Sequence, residues 1–170
     1  MWQGASFIAA QHGRDTDLFM LYLCVVWRRT SVPMSEPVIA VTGATGFIGR
    51  YLVRHLPQLG FRVRVLLRKP TPLPPDWSSA VSGDLARPIN MAAALANVDG
   101  VIHSAALTPT MSGVPEADFR LLNTNATAAL AQAAGRAGVR RFIFMSSLRA
   151  QAGPTAEHVL TEEMEPKPTD

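Results

Sequence analysis

Residues 38–49 read Val-Ile-Ala-Val-Thr-Gly-Ala-Thr-Gly-Phe-Ile-Gly, and no other stretch restricts the fold so strongly. Four apolar residues form a short buried strand. Three glycines follow at positions 43, 46 and 49. Beyond them, Leu52, Val53 and Leu56 make the apolar stripe of a helix. A strand that runs through a glycine-rich turn into a helix is how a parallel α/β sheet holds a dinucleotide pyrophosphate. Gly43 permits the tight turn. Gly46, lacking a Cβ, lets the backbone approach the phosphates, and Gly49 lets the helix pack closely on the strand. The helix N-terminus then offers N–H groups and a positive dipole end to the anion. Thr45, Phe47 and Ile48 share this turn and are candidate cofactor-binding residues with the glycines. A turn without ligand is the competing explanation. The strand before it and the helix after it favour the ligand site.

From residue 37 onward the pattern alternates strand and helix. Strands are expected at residues 38–42, 61–67, 80–81, 98–103 and 139–145, the last almost wholly apolar, as a strand buried on both faces should be. Helices are expected over residues 47–56, 88–97 and 116–137. Pro57 should end the first, and the proline-rich residues 71–76 must be loop. Such repetition implies right-handed crossovers and a Rossmann-type doubly wound parallel sheet, strand order 3-2-1-4-5. Its ligand crevice opens where the first and fourth strands diverge.

Composition narrows the function. Of 170 residues, 48% are hydrophobic and 17% charged, which suits one α/β domain with a real core. The net charge of +3 comes from scattered arginines without a basic run interleaved with aromatics, which argues against nucleic acid as a partner. The single cysteine, Cys24, excludes an internal disulfide and suits a cytoplasmic location. The four histidines lack metal-ligand spacing, so no metal is expected.

Residues 1–36 differ from the rest. Residues 18–27 form an apolar run too short for a spanning helix, which needs roughly 20 residues. Asp15 and Asp17 precede it where a signal peptide would be basic, and no small-residue cleavage site follows. A membrane role is therefore disfavoured. Residues 1–36 are expected to be an extension outside the fold, with Met34 as the natural start and residues 37–170 as the nucleotide-binding domain.

The spacing Gly-x-x-Gly-x-x-Gly departs from the commoner Gly-x-Gly-x-x-Gly. Thr-Gly-Ala-Thr-Gly-Phe-Ile-Gly, residues 42–49, resembles the extended branch of the short-chain dehydrogenase/reductase superfamily, the NAD-dependent epimerase/dehydratase family. In that light the later segments gain meaning. Gly83-Asp84-Leu85 is similar to the Asp-Leu or Asp-Val that the family sets against the adenine. Residues 101–106, Val-Ile-His-Ser-Ala-Ala, resemble the His-x-Ala-Ala segment, which implies that Ala105 and Ala106 lie along the ribose. His103 itself reads as a packed structural histidine. Residues 122–127, Leu-Asn-Thr-Asn-Ala-Thr, resemble Asn-Val-x-Gly-Thr, with Thr124 for valine and Ala126 for glycine. That implies a role for Asn123 in holding the site and cofactor, against a plain helix-face asparagine. Ser146-Ser147 resembles the strand-end serines, which implies Ser147 as the catalytic hydroxyl and Ser146 as the nicotinamide-facing one.

Cofactor choice turns on the end of the second strand. An acid roughly 20 residues past the glycine turn would accept from a free ribose 2′-hydroxyl. Here Leu67 is followed by Arg68-Lys69 instead. Arg68 can pair bidentately with a 2′-phosphate, which favours NADP over NAD, with tolerance of both left open. A solvated basic pair is the alternative.

The resemblance also implies a Tyr-x-x-x-Lys beyond the serine, in which the lysine lowers the tyrosine pKa for proton exchange with substrate. The only tyrosines are Tyr22 and Tyr51, both upstream of Ser147. Residues 160–170 resemble the approach to that tyrosine. The expectation is therefore a C-terminally incomplete domain, truncated before the last strands and the substrate domain, that holds nucleotide without a proton donor. Two functions follow. One is the NAD(P)-binding portion of an epimerase, dehydratase or reductase acting by hydride transfer on a nucleotide sugar or other carbonyl/hydroxyl substrate. The other is a non-catalytic dinucleotide-binding sensor or scaffold. A homodimer of the longer parent is compatible with either.

Overall fold

The computed structural model describes residues 36–74, 77–108, 113–153, 155–156, 158–161 and 163–167. The expectations for the apolar run at residues 18–27 and for a start at Met34 lie outside these. Two compact units are distinguished, one holding Ser31–Phe144 and the other holding Met145–Asp170.

The first unit is built on five parallel strands: β1 (Val38–Thr42), β2 (Arg62–Leu67), β3 (Ser78–Val81), β4 (Gly100–His103) and β5 (Arg141–Phe144). Their order is 3-2-1-4-5, as the alternating pattern predicts. β1 lies at the centre, with Thr42 opposite Leu66 of β2 on one side and opposite His103 of β4 on the other. Its residues Ala40 and Val41 are fully buried, as are Val65 and Val101 in the neighbouring strands. On one face the core gathers Leu66, Leu95, Val98, Val101, Leu130 and Ala134. Each fully buried leucine stabilises the fold by roughly 1.5–3 kcal/mol.

Helix α1 (Phe47–His55) follows the glycine turn and buries Leu52 and Val53, two of the three stripe residues. It ends before Pro57, which opens a single 3₁₀ turn closed by Gly60 in the left-handed region. The polypeptide then enters β2.

Three elements differ from expectation. Helix α2 spans only Met91–Ala94, not residues 88–97. Arg87 and Pro88 pair instead with Gly83 and Asp84 in a small antiparallel hairpin. The amide of Ile89 is bonded to the Ser82 carbonyl at 2.7 Å, so the chain turns back before any helix begins. The long helix exists, but in three parts: α3 (Glu116–Phe119), a π-helical stretch (Arg120–Asn125) and α4 (Ala126–Arg136). Finally, β5 is not buried on both faces. Arg141 and Phe144 are exposed, and β5 is an edge strand with a partner on one side only among the described residues.

In the second unit, α5 (Arg149–Ala152) forms one turn, and the tail folds back on it. The Gln151 side chain donates to the Thr161 carbonyl at 2.6 Å, and the Lys167 amide donates to the Gln151 carbonyl at 2.6 Å. Among the described residues no helix is long and apolar enough to cross a membrane.

Candidate functional site

The glycine turn shows why each glycine is there, and the reasons differ. Gly43 has φ +67°, the left-handed region that favours glycine. A Cβ on it would lie 2.7 Å from the Ala105 amide and 2.8 Å from the Ser104 carbonyl. The turn after β1 thus packs backbone to backbone on the loop after β4. Gly49 sits against the turn itself, and its Cβ would fall 2.1 Å from the Gly43 carbonyl oxygen. Gly46 is different. Its φ of −77° and ψ of 174° are open to any residue. Its Cβ would meet only the Gly43 oxygen, at 3.2 Å. Packing within the protein therefore gives little reason for glycine at 46.

No side chain caps the N-terminus of α1, and no acidic residue occupies its first turn. Thr45 and Gly46 are exposed at this helix start, the end of a helix that carries the positive end of its dipole. Phe47 is 82% exposed and Ile48 half-buried at the same helix start. Alongside runs an open groove of about 450 Å³, lined by Ala44, Thr45, Arg50, Arg54, Trp77 and the loop of residues 71–74. The Arg50 Nε donates to the Thr45 carbonyl at 2.9 Å, which holds its guanidinium beside the turn. A second cleft, of about 270 Å³ between α2 and α4, is lined by alanines with Met91 and Arg136 and offers little for chemistry.

The other predicted positions fall on the same end of the sheet, within the first unit. Arg68 follows β2 directly and is exposed. Buried Ser82 donates its amide to the Leu67 carbonyl at 2.9 Å, so the end of β3 is tied to the end of β2. This brings Asp84 and half-buried Leu85 to the strand end that carries Arg68. Asp84 is exposed, and its Oδ1 accepts from the Ala86 amide at 2.9 Å. One carboxylate oxygen thus shapes the hairpin turn. Ala105 and Ala106 lie in the loop after β4 that Gly43 touches. Asn123, in the π-helical stretch, grips this loop with both ends of its amide. Its Oδ1 accepts from the Leu107 amide at 2.8 Å, and its Nδ2 donates to the Leu107 carbonyl at 2.9 Å. π-Helical turns are frequent at functional sites.

His103 is packed, as expected from sequence, and it is fully buried. One ring nitrogen meets Thr42 Oγ1 at 2.7 Å and the other meets Thr127 Oγ1 at 2.8 Å. The Phe142 and Phe144 rings lie beside it, with centroids at 6.3 and 5.8 Å. Burial among these neutral groups lowers its pKa from 6.5 to about 4. The unfolded chain therefore binds this proton from about pH 6.5 downward, whereas the folded chain resists it until about pH 4. This contribution to stability is whole above pH 6.5 and is lost progressively between 6.5 and 4. The heat-unfolding midpoint is expected to fall across that window, and by less in His103→Asn, which carries no titrating ring. Equal falls in both proteins would refute the assignment.

Ser146 and Ser147 are exposed and belong to the second unit. Ser147 Oγ accepts from the Arg149 amide at 3.2 Å and supports the α5 turn. Sequence reasoning missed Arg50, Arg54 and Trp77 of the groove. The i, i+4 spacing of the two arginines on the outward face of α1 was the available signal. Among the described residues no group of His, Cys, Asp and Glu is placed to hold a metal ion.

Comparison with known proteins supplies an independent line. A family model described as NAD dependent epimerase/dehydratase matches residues 39–170. A ceramide reductase of Caulobacter vibrioides is 42% identical over 120 residues, covering 67% of this chain and 36% of that protein. Among solved structures, a short-chain dehydrogenase/reductase superfamily protein from Agrobacterium tumefaciens with bound NAD superposes with TM-score 0.65 at 31% identity, covering 78% of this chain and 40% of that one. MoeE5 in complex with UDP-glucuronic acid and NAD gives 0.62 at 36% identity, covering 76% and 42%. The chain spans well under half the length of each of these three proteins.

Proposed function

Since the chain belongs to the NAD dependent epimerase/dehydratase family, we propose that its glycine turn binds the pyrophosphate of a nicotinamide dinucleotide. It serves as the cofactor-holding portion of an epimerase, dehydratase or reductase. Gly46 carries the proposal: an open backbone position, beside an uncapped helix start, where packing barely requires glycine and a phosphate does. The substrate class is a nucleotide sugar or another carbonyl/hydroxyl compound. MoeE5, with its bound UDP-sugar acid and NAD, supports the first of these.

The residues divide the work. Amides at the start of α1, among Phe47, Ile48 and Gly49, meet the pyrophosphate, with Thr45 beside them. Ala105 and Ala106 flank the ribose, and their small side chains let the backbone lie along it. Asp84 has a second carboxylate oxygen with which to accept from the adenine amino group, and Leu85 covers that ring. Asn123 holds the loop in place. When bound, the nicotinamide supplies the hydride acceptor or donor. Ser147 is assigned the hydroxyl that bonds the substrate oxygen, and Ser146 the nicotinamide side, on their place directly after β5 in the chain. No tyrosine follows Ser147 in the 170 residues, so the proton donor is not assigned within them.

NADP is the favoured cofactor because Arg68 stands where an acid would select NAD. A guanidinium–phosphate pair of this kind contributes about 1.5–3 kcal/mol, or roughly tenfold or more in affinity. The test is titration of NADP and NAD into the 170-residue chain, followed by the heat-unfolding midpoint. A ligand that binds only the folded state raises it. NADP is expected to raise it more than NAD, and Arg68→Glu to abolish the NADP advantage while keeping the NAD response. A preference for NADP that survives Arg68→Glu would exclude Arg68 as its source. No response to either dinucleotide would overturn the binding assignment.

A further inference from the structure

With the imidazole neutral, the hydrogen bonds around His103 permit only one arrangement of protons. Thr127 Oγ1 lies 2.8 Å from the Asn123 carbonyl, which can only accept, so the threonine proton goes there. Thr127 Oγ1 must then accept at its other contact, and His103 Nε2 donates to it across 2.8 Å. A neutral imidazole has one N–H, so Nδ1 is an acceptor. The 2.7 Å contact with Thr42 therefore has the Thr42 hydroxyl donating to Nδ1. With its proton spent, Thr42 Oγ1 only accepts, and two amides donate to it, Ser104 at 3.2 Å and Ala105 at 3.3 Å. The Ser104 hydroxyl in turn donates to the Thr42 carbonyl at 2.7 Å. On the far side, Asn123 holds both backbone groups of Leu107.

The bonds form a loop of interactions that begins and ends on residues 104–107. It passes through Thr42, His103, Thr127 and Asn123. These come from the strand before the glycine turn, the end of β4 and the long helix, three stretches that sequence spacing does not relate. The segment they fix is the one against which Gly43 packs with no room for a Cβ. The network therefore fixes where the β4 loop lies against the glycine turn.

We propose that His103 is a positioning residue for the dinucleotide. As the Nε2–H tautomer, it orients the Thr42 hydroxyl so that the oxygen receives the Ser104 and Ala105 amides and holds the β4 loop at cofactor-binding distance. For a neutral imidazole, the tautomer and the bond directions follow from this geometry without reference to any ligand. The effect on the cofactor rests on the dinucleotide reading of the crevice.

Two substitutions separate the halves of the ring. In His103→Asn the side-chain oxygen takes the place of Nδ1 and still accepts from Thr42, while the bond to Thr127 is lost. In His103→Gln the longer amide reaches Thr127 and leaves the Thr42 hydroxyl without its acceptor. With folding of each 170-residue chain verified by circular dichroism, NAD affinity is measured by calorimetry. His103→Asn is expected to stay within about threefold of the parent and His103→Gln to weaken about tenfold, the scale of one lost buried acceptor. Equal losses in both would overturn the positioning role, since a residue that only fills space does not distinguish them. ¹⁵N NMR of the imidazole in the unsubstituted chain gives a second readout that needs no ligand and no variant. A protonated Nε2 with an unprotonated Nδ1 at neutral pH is expected. The opposite tautomer, or an imidazolium, would overturn the ring. Failure of the parent chain to bind NAD would overturn the crevice reading and the role in cofactor positioning, while the tautomer stands or falls by the NMR.

Discussion

Alanine at position 46 is expected to leave the fold standing and to remove dinucleotide binding. The added Cβ meets one protein atom, the Gly43 carbonyl oxygen at 3.2 Å, and the backbone angles already suit alanine. A shift of a few tenths of an ångström relieves that contact. The loss of glycine's freedom in the unfolded chain offsets it by about 0.4–1 kcal/mol. Stability should therefore change by less than about 1 kcal/mol. A phosphate brought against this backbone meets the same methyl with nowhere to go. Affinity for NAD or NADP should fall about a hundredfold, or about 2.8 kcal/mol at 1.4 kcal/mol per tenfold. Calorimetric titration beside thermal unfolding reads both quantities. Unchanged affinity in Gly46→Ala would mean that the phosphates do not pass over this residue.

Gly49→Ala should behave in the opposite way, with the fold itself giving. Helix propensity alone favours alanine over glycine by about 1 kcal/mol. Here the Cβ would fall 2.1 Å from the Gly43 oxygen and 2.6 Å from the Ala44 Cα, both backbone atoms of the turn. Helix α1 must move away from β1 to make room, and Leu52 and Val53 move with it. Overpacking against backbone outweighs propensity, and a net loss of about 3 kcal/mol is expected. For a chain of this size that lowers the heat-unfolding midpoint by roughly 10 °C. A midpoint equal to or above that of the parent would show that α1 does not press on the turn.

These two glycines also show where sequence reading succeeds and where it stops. The turn and its flanking elements are legible because strand, glycine spacing and apolar stripe are all local. The strand order is legible because a parallel sheet has few ways to connect alternating elements. What each glycine avoids is not legible. Gly43 is excluded from a side chain by Ser104 and Ala105, brought beside it by the β1–β4 pairing.

The misreadings have similar causes. Residues 88–97 carry helical composition, yet a bond from Ile89 to Ser82 and the pairing of Pro88 with Gly83 claim the first part for a hairpin. The apolar residues of β5 suggested burial on both faces, but face burial depends on what packs over the strand, which composition does not show. The π-helical stretch is defined by bonds such as that from the Ala126 amide to the Leu121 carbonyl, for which composition gives no sign. His103 was correctly read as packed. Its partners, Thr42 and Thr127, lie 61 and 24 residues away, so only the fold could identify them. Arg68 is placed by its spacing from the glycine turn and Asp84 by the family resemblance, and the Ser82–Leu67 bond gives the physical link between their strand ends.

The most direct test of the account is a titration of NAD into the ¹⁵N-labelled 170-residue chain, followed amide by amide. Binding at the glycine turn predicts saturable shifts concentrated in residues 43–49 and 104–107, with NADP extending them to Arg68. Shifts confined to other surfaces, or none at all, would contradict a dinucleotide site built on this turn.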